Sequence, residues 1–133
     1  MGSATGFICS VCETRFTVRQ GGGFIFDLLH CDACGAAKSV SHKDLGDIHL
    51  RFVKGLAPRP YALVRSAMDW RIQAEYQGEP IGRVEYRMLA EGSLGACTCG
   101  GRFRYDAPAR CPSCRSTSEQ WKRNPKAAWM FYD

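Results

Sequence analysis

Arg15-Phe16-Thr17-Val18-Arg19 alternates polar and apolar positions, and Phe24-Ile25-Phe26-Asp27-Leu28-Leu29 resumes after Gly21-Gly22-Gly23. A period of two on both sides of a glycine turn predicts a β-hairpin between Cys12 and Cys31. Arg102-Phe103-Arg104-Tyr105 alternates in the same way, entered from Gly100-Gly101 and broken by Pro108. The stretch 41–93 has a different rhythm. Leu45, Ile48, Phe52 and Leu56 recur at helical spacing, with His49 and Val53 beside them. Ser41 offers a helix N-cap with Asp44 three positions on, and Gly55, Pro58 and Pro60 stop the element. A second helix is expected over 61–76, where Val64, Met68 and Ile72 form one stripe. Leu63, Ala67, Trp70 and Ala74 widen it, and so broad an apolar face belongs in a core. Pro80 then suits the first turn of a third helix through Ile81, Val84, Met88 and Leu89. A rival pattern runs through the same residues: Trp70, Ile72, Ala74 and Tyr76 alternate with polar neighbours, as do Val84, Tyr86 and Met88. That would be a hairpin around 77–82. Helices are favoured over it.

The chain has 133 residues, room for one compact domain or two very small ones. Apolar residues make up 45% and charged residues 23%, a balance that excludes wholesale disorder. No apolar run approaches the roughly 20 residues of a membrane span, and Met1 to Gly6 lacks the regions of a secretory signal. A cytoplasmic location, without a membrane partner, is the expectation.

Eight cysteines change the picture. They fall in four pairs, Cys9/Cys12, Cys31/Cys34, Cys97/Cys99 and Cys111/Cys114, with sixty-two residues between the second pair and the third. The spacing reads as C-x2-C-x18-C-x2-C followed by C-x-C-x11-C-x2-C, which predicts two tetrathiolate sites closed between neighbours in sequence. Site 1 would hold Cys9, Cys12, Cys31 and Cys34; site 2 would hold Cys97, Cys99, Cys111 and Cys114. A C-x2-C turn aims two sulfurs at one point, and two such turns complete a tetrahedron around Zn2+. A cytoplasmic address disfavours disulfides, and a redox C-x2-C pair normally opens a helix. The histidines His30, His42 and His49 are not needed as ligands.

With Cys9-Ser10-Val11-Cys12, Cys31-Asp32-Ala33-Cys34-Gly35, Cys97-Thr98-Cys99-Gly100-Gly101 and Cys111-Pro112-Ser113-Cys114, the chain resembles the zinc-ribbon and rubredoxin-like superfamily. In its tandem arrangement it resembles small bacterial zinc-ribbon proteins. The third knuckle is one residue short, and Arg115 stands after Cys114 where many knuckles carry glycine. The resemblance implies a small metal-stabilised α+β protein. Two zinc-ribbon β-hairpin units, over 1–40 and 94–133, would flank a mainly helical insert over 41–93. It implies two Zn2+ ions, with iron in a rubredoxin-like electron carrier as the alternative. A closed four-cysteine site has no open coordination position, so the metals are expected to be structural and the protein non-catalytic.

The formal charge of +5 invites a nucleic-acid reading. Eight thiolates and two dications would lower it by four, to about +1. The strongest candidate surface lies in the second ribbon and tail. There Arg102, Arg104, Arg110, Arg115, Lys122, Arg123 and Lys126 are interleaved with Phe103, Tyr105, Trp121, Trp129, Phe131 and Tyr132. Basic groups hold phosphates while aromatic faces stack on unpaired bases. The plainer and favoured alternative packs those aromatics against the rest of the protein. A partner protein adding a strand to the edge of the hairpin Phe16–Leu29 is the other option. Gly21-Gly22-Gly23 lacks the lysine and helix of a phosphate cradle, and no Ser/His/Asp set stands out. The sequence therefore points to a binding module for nucleic acid or protein, with no small-molecule substrate.

Overall fold

The computed structural model describes residues 1–56 and 65–133. It is a small α+β protein with seven strands and four helices among those residues. The chain divides into two units. One joins residues 1–41 to 94–133, and the other is residues 42–93. The first and last segments, expected as separate ribbons, thus fold together.

In the first unit each of the first two knuckles is itself the turn of a hairpin. β1 (Gly2–Cys9) enters the Cys9–Cys12 turn and returns as β2 (Arg15–Gln20), in a register from Ser3↔Gln20 to Ile8↔Arg15. β3 (Phe26–Cys31) enters the Cys31–Cys34 turn and returns as β4 (Ala37–Ser41), paired from Phe26↔Ser41 to His30↔Ala37. The predicted hairpin between Cys12 and Cys31 does not form. Its two strands exist, but β2 pairs with β1 and β3 with β4, so the edge proposed over Phe16–Leu29 is not the edge of one ribbon. The reason is local. Cys9 N–H donates to Thr14 O and Glu13 N–H to Cys9 O, each at 2.9 Å, which closes the turn at the knuckle.

The C-terminal strands complete both sheets. β5 (Phe103–Arg104) pairs with β3, setting Phe103 opposite Cys31. After a 3-10 turn at Ser118–Gln120, β6 (Trp121–Arg123) and β7 (Met130–Tyr132) both pair with β1 on the side away from β2. The strand at residues 2–9 carries little hydrophobic signal because its small residues admit close neighbours. A Cβ on Gly2 would collide with the Tyr132 ring, and one on Gly6 with Ala127 Cβ. Tyr132 in turn stacks on Phe26 at 5.9 Å, lies under the Arg19 guanidinium at 5.0 Å, and donates its hydroxyl to Gly21 O at 2.8 Å.

The second unit contains α1 (His42–Leu45), α2 (Asp47–Lys54), α3 (Arg65–Glu75) and α4 (Arg83–Ser93). The helical reading of 70–89 holds, and the rival hairpin around 77–82 is absent. Gly46, at φ 56°, divides the first predicted helix in two. Residues 57–64, including Pro58, Pro60, Leu63 and Val64, lie outside the described residues. Burial departs from the stripes. Met68 and Trp70 on α3 and Val84 and Met88 on α4 are exposed, whereas Leu45, Val53, Ile81, Tyr86 and Ala90 form the core. Side-chain caps tie α2 to α3. Lys54 Nζ donates to the Gln73 and Tyr76 carbonyls, and Gln73 Nε2 to those of Val53 and Leu56. These bonds satisfy carbonyls that a helix C-terminus leaves orphaned.

Gly6→Val is expected to cost about 1–3 kcal/mol, because the added carbons must displace Ala127 from its seat on β1. Chemical denaturation of the metal-loaded protein measures it, and an unchanged midpoint would contradict this packing.

Candidate metal centres

Every first cysteine of a knuckle is buried: Cys9, Cys31, Cys97 and Cys111. The second is exposed at Cys12, Cys99 and Cys114 and half-buried at Cys34. The large aliphatic side chains buried beside them in this unit are only Val18, Leu28, Leu29 and Val40. Sulfur is thus a large part of what this unit encloses.

The sulfurs gather in two groups, but not the predicted ones. Cys9 and Cys12 meet Cys111 and Cys114, while Cys31 and Cys34 meet Cys97 and Cys99. Local closure of 9/12 with 31/34, and of 97/99 with 111/114, is therefore corrected to a nested pairing. Strand pairing is the cause. Cys9 faces Trp121 across β1 and β6, which brings the Cys111–Cys114 turn alongside. Cys31 faces Phe103 across β3 and β5, which brings the Cys97–Cys99 turn alongside.

In the first group Cys9 Sγ lies 3.5 Å from Cys114 Sγ and Cys12 Sγ 3.5 Å from Cys111 Sγ. In the second, Cys31 Sγ lies 3.4 Å from Cys99 Sγ and Cys34 Sγ 3.7 Å from Cys97 Sγ. All four sulfurs of a group fall within 4.8 Å of one another. A tetrahedron of four sulfurs at 2.3 Å from a central ion has edges of about 3.8 Å. The donor sets fit a tetrathiolate metal ion. The spacing is far beyond the roughly 2.05 Å of a disulfide.

The four turns share one hydrogen-bond scheme. Gly35 N–H donates to Cys31 O and Arg115 N–H to Cys111 O at 2.9 Å, as Glu13 does to Cys9. Cys31 N–H and Cys111 N–H reach Ala36 O and Ser116 O, again at 2.9 Å. The C-x-C turn runs one residue shorter, with Gly100 N–H on Cys97 O and Cys97 N–H on Gly101 O. The residue closing each turn has positive φ: Glu13 63°, Gly35 74°, Gly100 91° and Arg115 63°. Arg115 therefore takes the glycine conformation at a cost of about 1–2 kcal/mol. Gly101 has another role, since a Cβ there would press on Cys31 Sγ and Ala33.

The two centres differ in what surrounds them. At the first, Ser116 Oγ lies 3.1 Å from Cys9 Sγ and 3.2 Å from Cys114 Sγ, and Trp121 Nε1 donates to that oxygen at 3.3 Å. Thr14 Oγ1 lies 3.1 Å from Cys12 Sγ and donates to Ser113 Oγ at 2.9 Å. At the second, the sulfurs accept from backbone amides: Ala33 and Cys34 N–H donate to Cys31 Sγ, and Gly101 N–H to Cys99 Sγ. The sequence reading passed over these hydroxyls. Their signal was a Ser or Thr two places after the last cysteine of both first-group knuckles, at Thr14 and Ser116.

Ionisation shows why each group calls for a cation. The Ser116 hydroxyl, aided by the Cys12 and Val11 amides and opposed by burial, brings Cys9 down to about 6. Burial opposes ionisation of Cys31, yet the Cys34 and Ala33 amides with Cys99 bring it to about 6 as well. The remaining sulfurs then meet a charge already present. Against a lowering bond from the Ala36 amide, burial and the sulfurs of Cys99, Cys31 and Cys97 push Cys34 up to about 12. Burial, with Cys12 and Cys114, raises Cys111 too. Four thiolates at one point need a dication among them.

The other candidate residues do not form one patch. Arg102 N–H donates to Asp32 Oδ1 at 2.9 Å, and Arg104 Nε lies 3.9 Å from Asp32 Oδ2, both beside the second centre. Arg110 Nη1 donates to Arg115 O at 3.2 Å beside the first, and Arg110 packs against Gly35. Lys122 and Arg123 alternate to opposite faces of β6. Arg123 lies over Trp129, and Lys126 sits in the turn after β6 with its amide on Asn124 Oδ1. His30 is buried in β3, where desolvation holds its imidazole below the ordinary value against a bond to Arg19 O. No histidine belongs to either sulfur group.

A family described as a domain of unknown function, DUF8255, matches residues 5–120. The chain belongs to that family. No curated protein and no solved structure matches it. The DUF8255 match runs from within β1 to the end of the 3-10 turn, so it takes in all eight cysteines and both halves of each centre. In this DUF8255 chain no helix among the described residues is long and apolar enough to cross a membrane.

Gly101→Ala is expected to weaken or empty the second centre while the first keeps its ion, read as bound metal per chain. Arg115→Gly, by contrast, should stabilise the loaded protein by about 0.5–1 kcal/mol, the difference between left-handed strain relieved and glycine entropy added. Equal tolerance of both changes would contradict the turn geometry.

Proposed function

We propose that this DUF8255 chain is a non-catalytic zinc-binding module in which two structural Zn2+ ions hold an interaction surface. The observation that carries the reading is the closed set of four sulfurs at each centre, two of them buried and all within 4.8 Å of one another. Four thiolates fill every position of a tetrahedral ion, leaving none for a water or substrate. Bound there, Zn2+ supplies charge neutralisation and a cross-link between distant stretches of chain. The residues of the protein do the rest. Knuckle amides and the Ser116 hydroxyl hold the sulfurs, and the strand pairings place them.

In ribbon terms, the two units inferred from sequence become two nested ribbons, each built from one N-terminal and one C-terminal knuckle. Zinc is favoured over iron because a filled d shell imposes no geometry of its own. It accepts both the C-x2-C/C-x2-C set and the C-x2-C/C-x-C set. A cytoplasmic setting, in which thiols stay reduced, suits eight unoxidised cysteines.

Elemental analysis of protein purified without added metal is expected to give two zinc ions per chain in a colourless solution. A red protein containing iron would replace this reading with an electron carrier. Chelation at neutral pH is expected to abolish protease resistance in 1–41 and 94–133, since structural zinc contributes about 10–16 kcal/mol per site in small peptides. Resistance retained after complete metal removal would contradict the structural role.

A further inference from the structure

Strand alternation gathers aromatic rings on one face of the sheet built around β1. Phe7 stands opposite Phe16 on β2 and Arg123 on β6, while Cys9 stands opposite Trp121. Cross-strand partners and residues two apart share a face, so Phe7, Phe16, Trp121 and Arg123 lie together. Ser3, two positions from Thr5 and four from Phe7, pairs with Phe131 and adds that ring to the same face. The rings touch in sequence across the sheet. Phe16 meets Trp121 at 4.9 Å, Trp121 meets Phe7 at 5.4 Å, and Trp129 meets Phe131 at 4.5 Å. The Arg123 guanidinium, 5.7 Å from the Trp129 ring centre, joins the two groups.

Two properties of the face point to its occupant. Trp129 is 53% and Phe131 61% exposed, so flat π surfaces are presented to solvent. Of the other positions there, Ser3, Thr5 and Gln20 carry no charge, and Val18 and Cys9 are buried. Asp133, two places beyond Phe131, is paired with the Met1 amino group at 3.5 Å, so the Arg123 guanidinium is the cation beside the exposed rings. Stacked rings with an intercalated cation match unpaired bases joined by phosphates, because every base has a π face and every linkage an anion.

We propose that this face is a stacking platform for single-stranded nucleic acid, with Trp129, Phe131 and Phe7 receiving bases and Arg123 meeting a phosphate. The inference rests on the reading of the chain as a metal-held binding module. It replaces the scattered basic residues near the sulfur centres with one set of rings around Arg123. Lys122, on the opposite face of β6, is outside it. The platform also explains what the metals are for: the first centre fixes β6 beside β1, and with it the row of rings.

The test uses full-length, metal-loaded protein and a fluorescein-labelled thymidine single strand of about twelve nucleotides, within the usual reach of such folds. Anisotropy should report binding that weakens with salt. Trp129→Ala and Phe131→Ala should each lower affinity about 5- to 100-fold, and Arg123→Gln should lower it and flatten the salt dependence. Lys122→Gln should lower it less than any of the three. Native mass spectrometry on each sample counts the bound ions, which separates failure of the platform from failure of the metal reading. No single-strand binding at low salt by protein carrying both ions would overturn the proposal. So would equal affinity for the duplex, or full affinity in both aromatic variants. Loss of the ions would instead count against the module itself.

Discussion

Two clusters of four sulfurs hold together a unit whose segments come from opposite ends of the sequence. Positions 105 and 99 residues apart meet at one cluster, and positions 68 and 63 apart at the other. Without a cation at each point, burial and the neighbouring sulfurs oppose ionisation of the remaining thiols, and both hold Cys34 and Cys111 above the ordinary value. The four knuckles are therefore built alike. Each presents one buried and one more exposed sulfur from a turn closed by the same pair of backbone hydrogen bonds.

Nesting has an entropic logic. Closing a loop of about 100 residues costs roughly 1.4 kcal/mol more than closing one of about 20, so local pairing begins with a modest advantage. That advantage shrinks once the inner cluster has formed. The outer one then needs to close only the connections of eighteen and eleven residues that flank the inner knuckles. β1 supplies the remaining bias, because its second edge accepts both β6 and β7. β3 has β4 on one edge and β5 on the other, so neither edge is left to pair with β2.

The ligands, the helices of the middle segment and most strand segments were legible in the sequence, because cysteine chemistry and periodicity are local signals. Partnership was not. The spacing of Cys12 to Cys31 suits a ribbon, and only cross-strand registers such as Cys9↔Trp121 bring Cys9 and Cys12 to Cys111 and Cys114 in its place. β1 was silent because Gly2 and Gly6 are chosen for close approach to Tyr132 and Ala127 rather than for hydrophobicity. The stripes on α3 and α4 misled in another way. Met68, Trp70, Val84 and Met88 follow the helical period yet lie exposed, while Tyr86 and Ala90 are buried. Periodicity identified those helices without identifying their inward face.

The nested arrangement is tested most directly by counting metal ions in two fourfold serine variants under native mass spectrometry. Replacing Cys9, Cys12, Cys111 and Cys114 leaves the inner centre whole, and one bound ion is predicted. Replacing Cys9, Cys12, Cys31 and Cys34 halves both centres, and no tightly held ion is predicted. One ion in the second variant and none in the first would show that the knuckles close between sequence neighbours and would contradict the account.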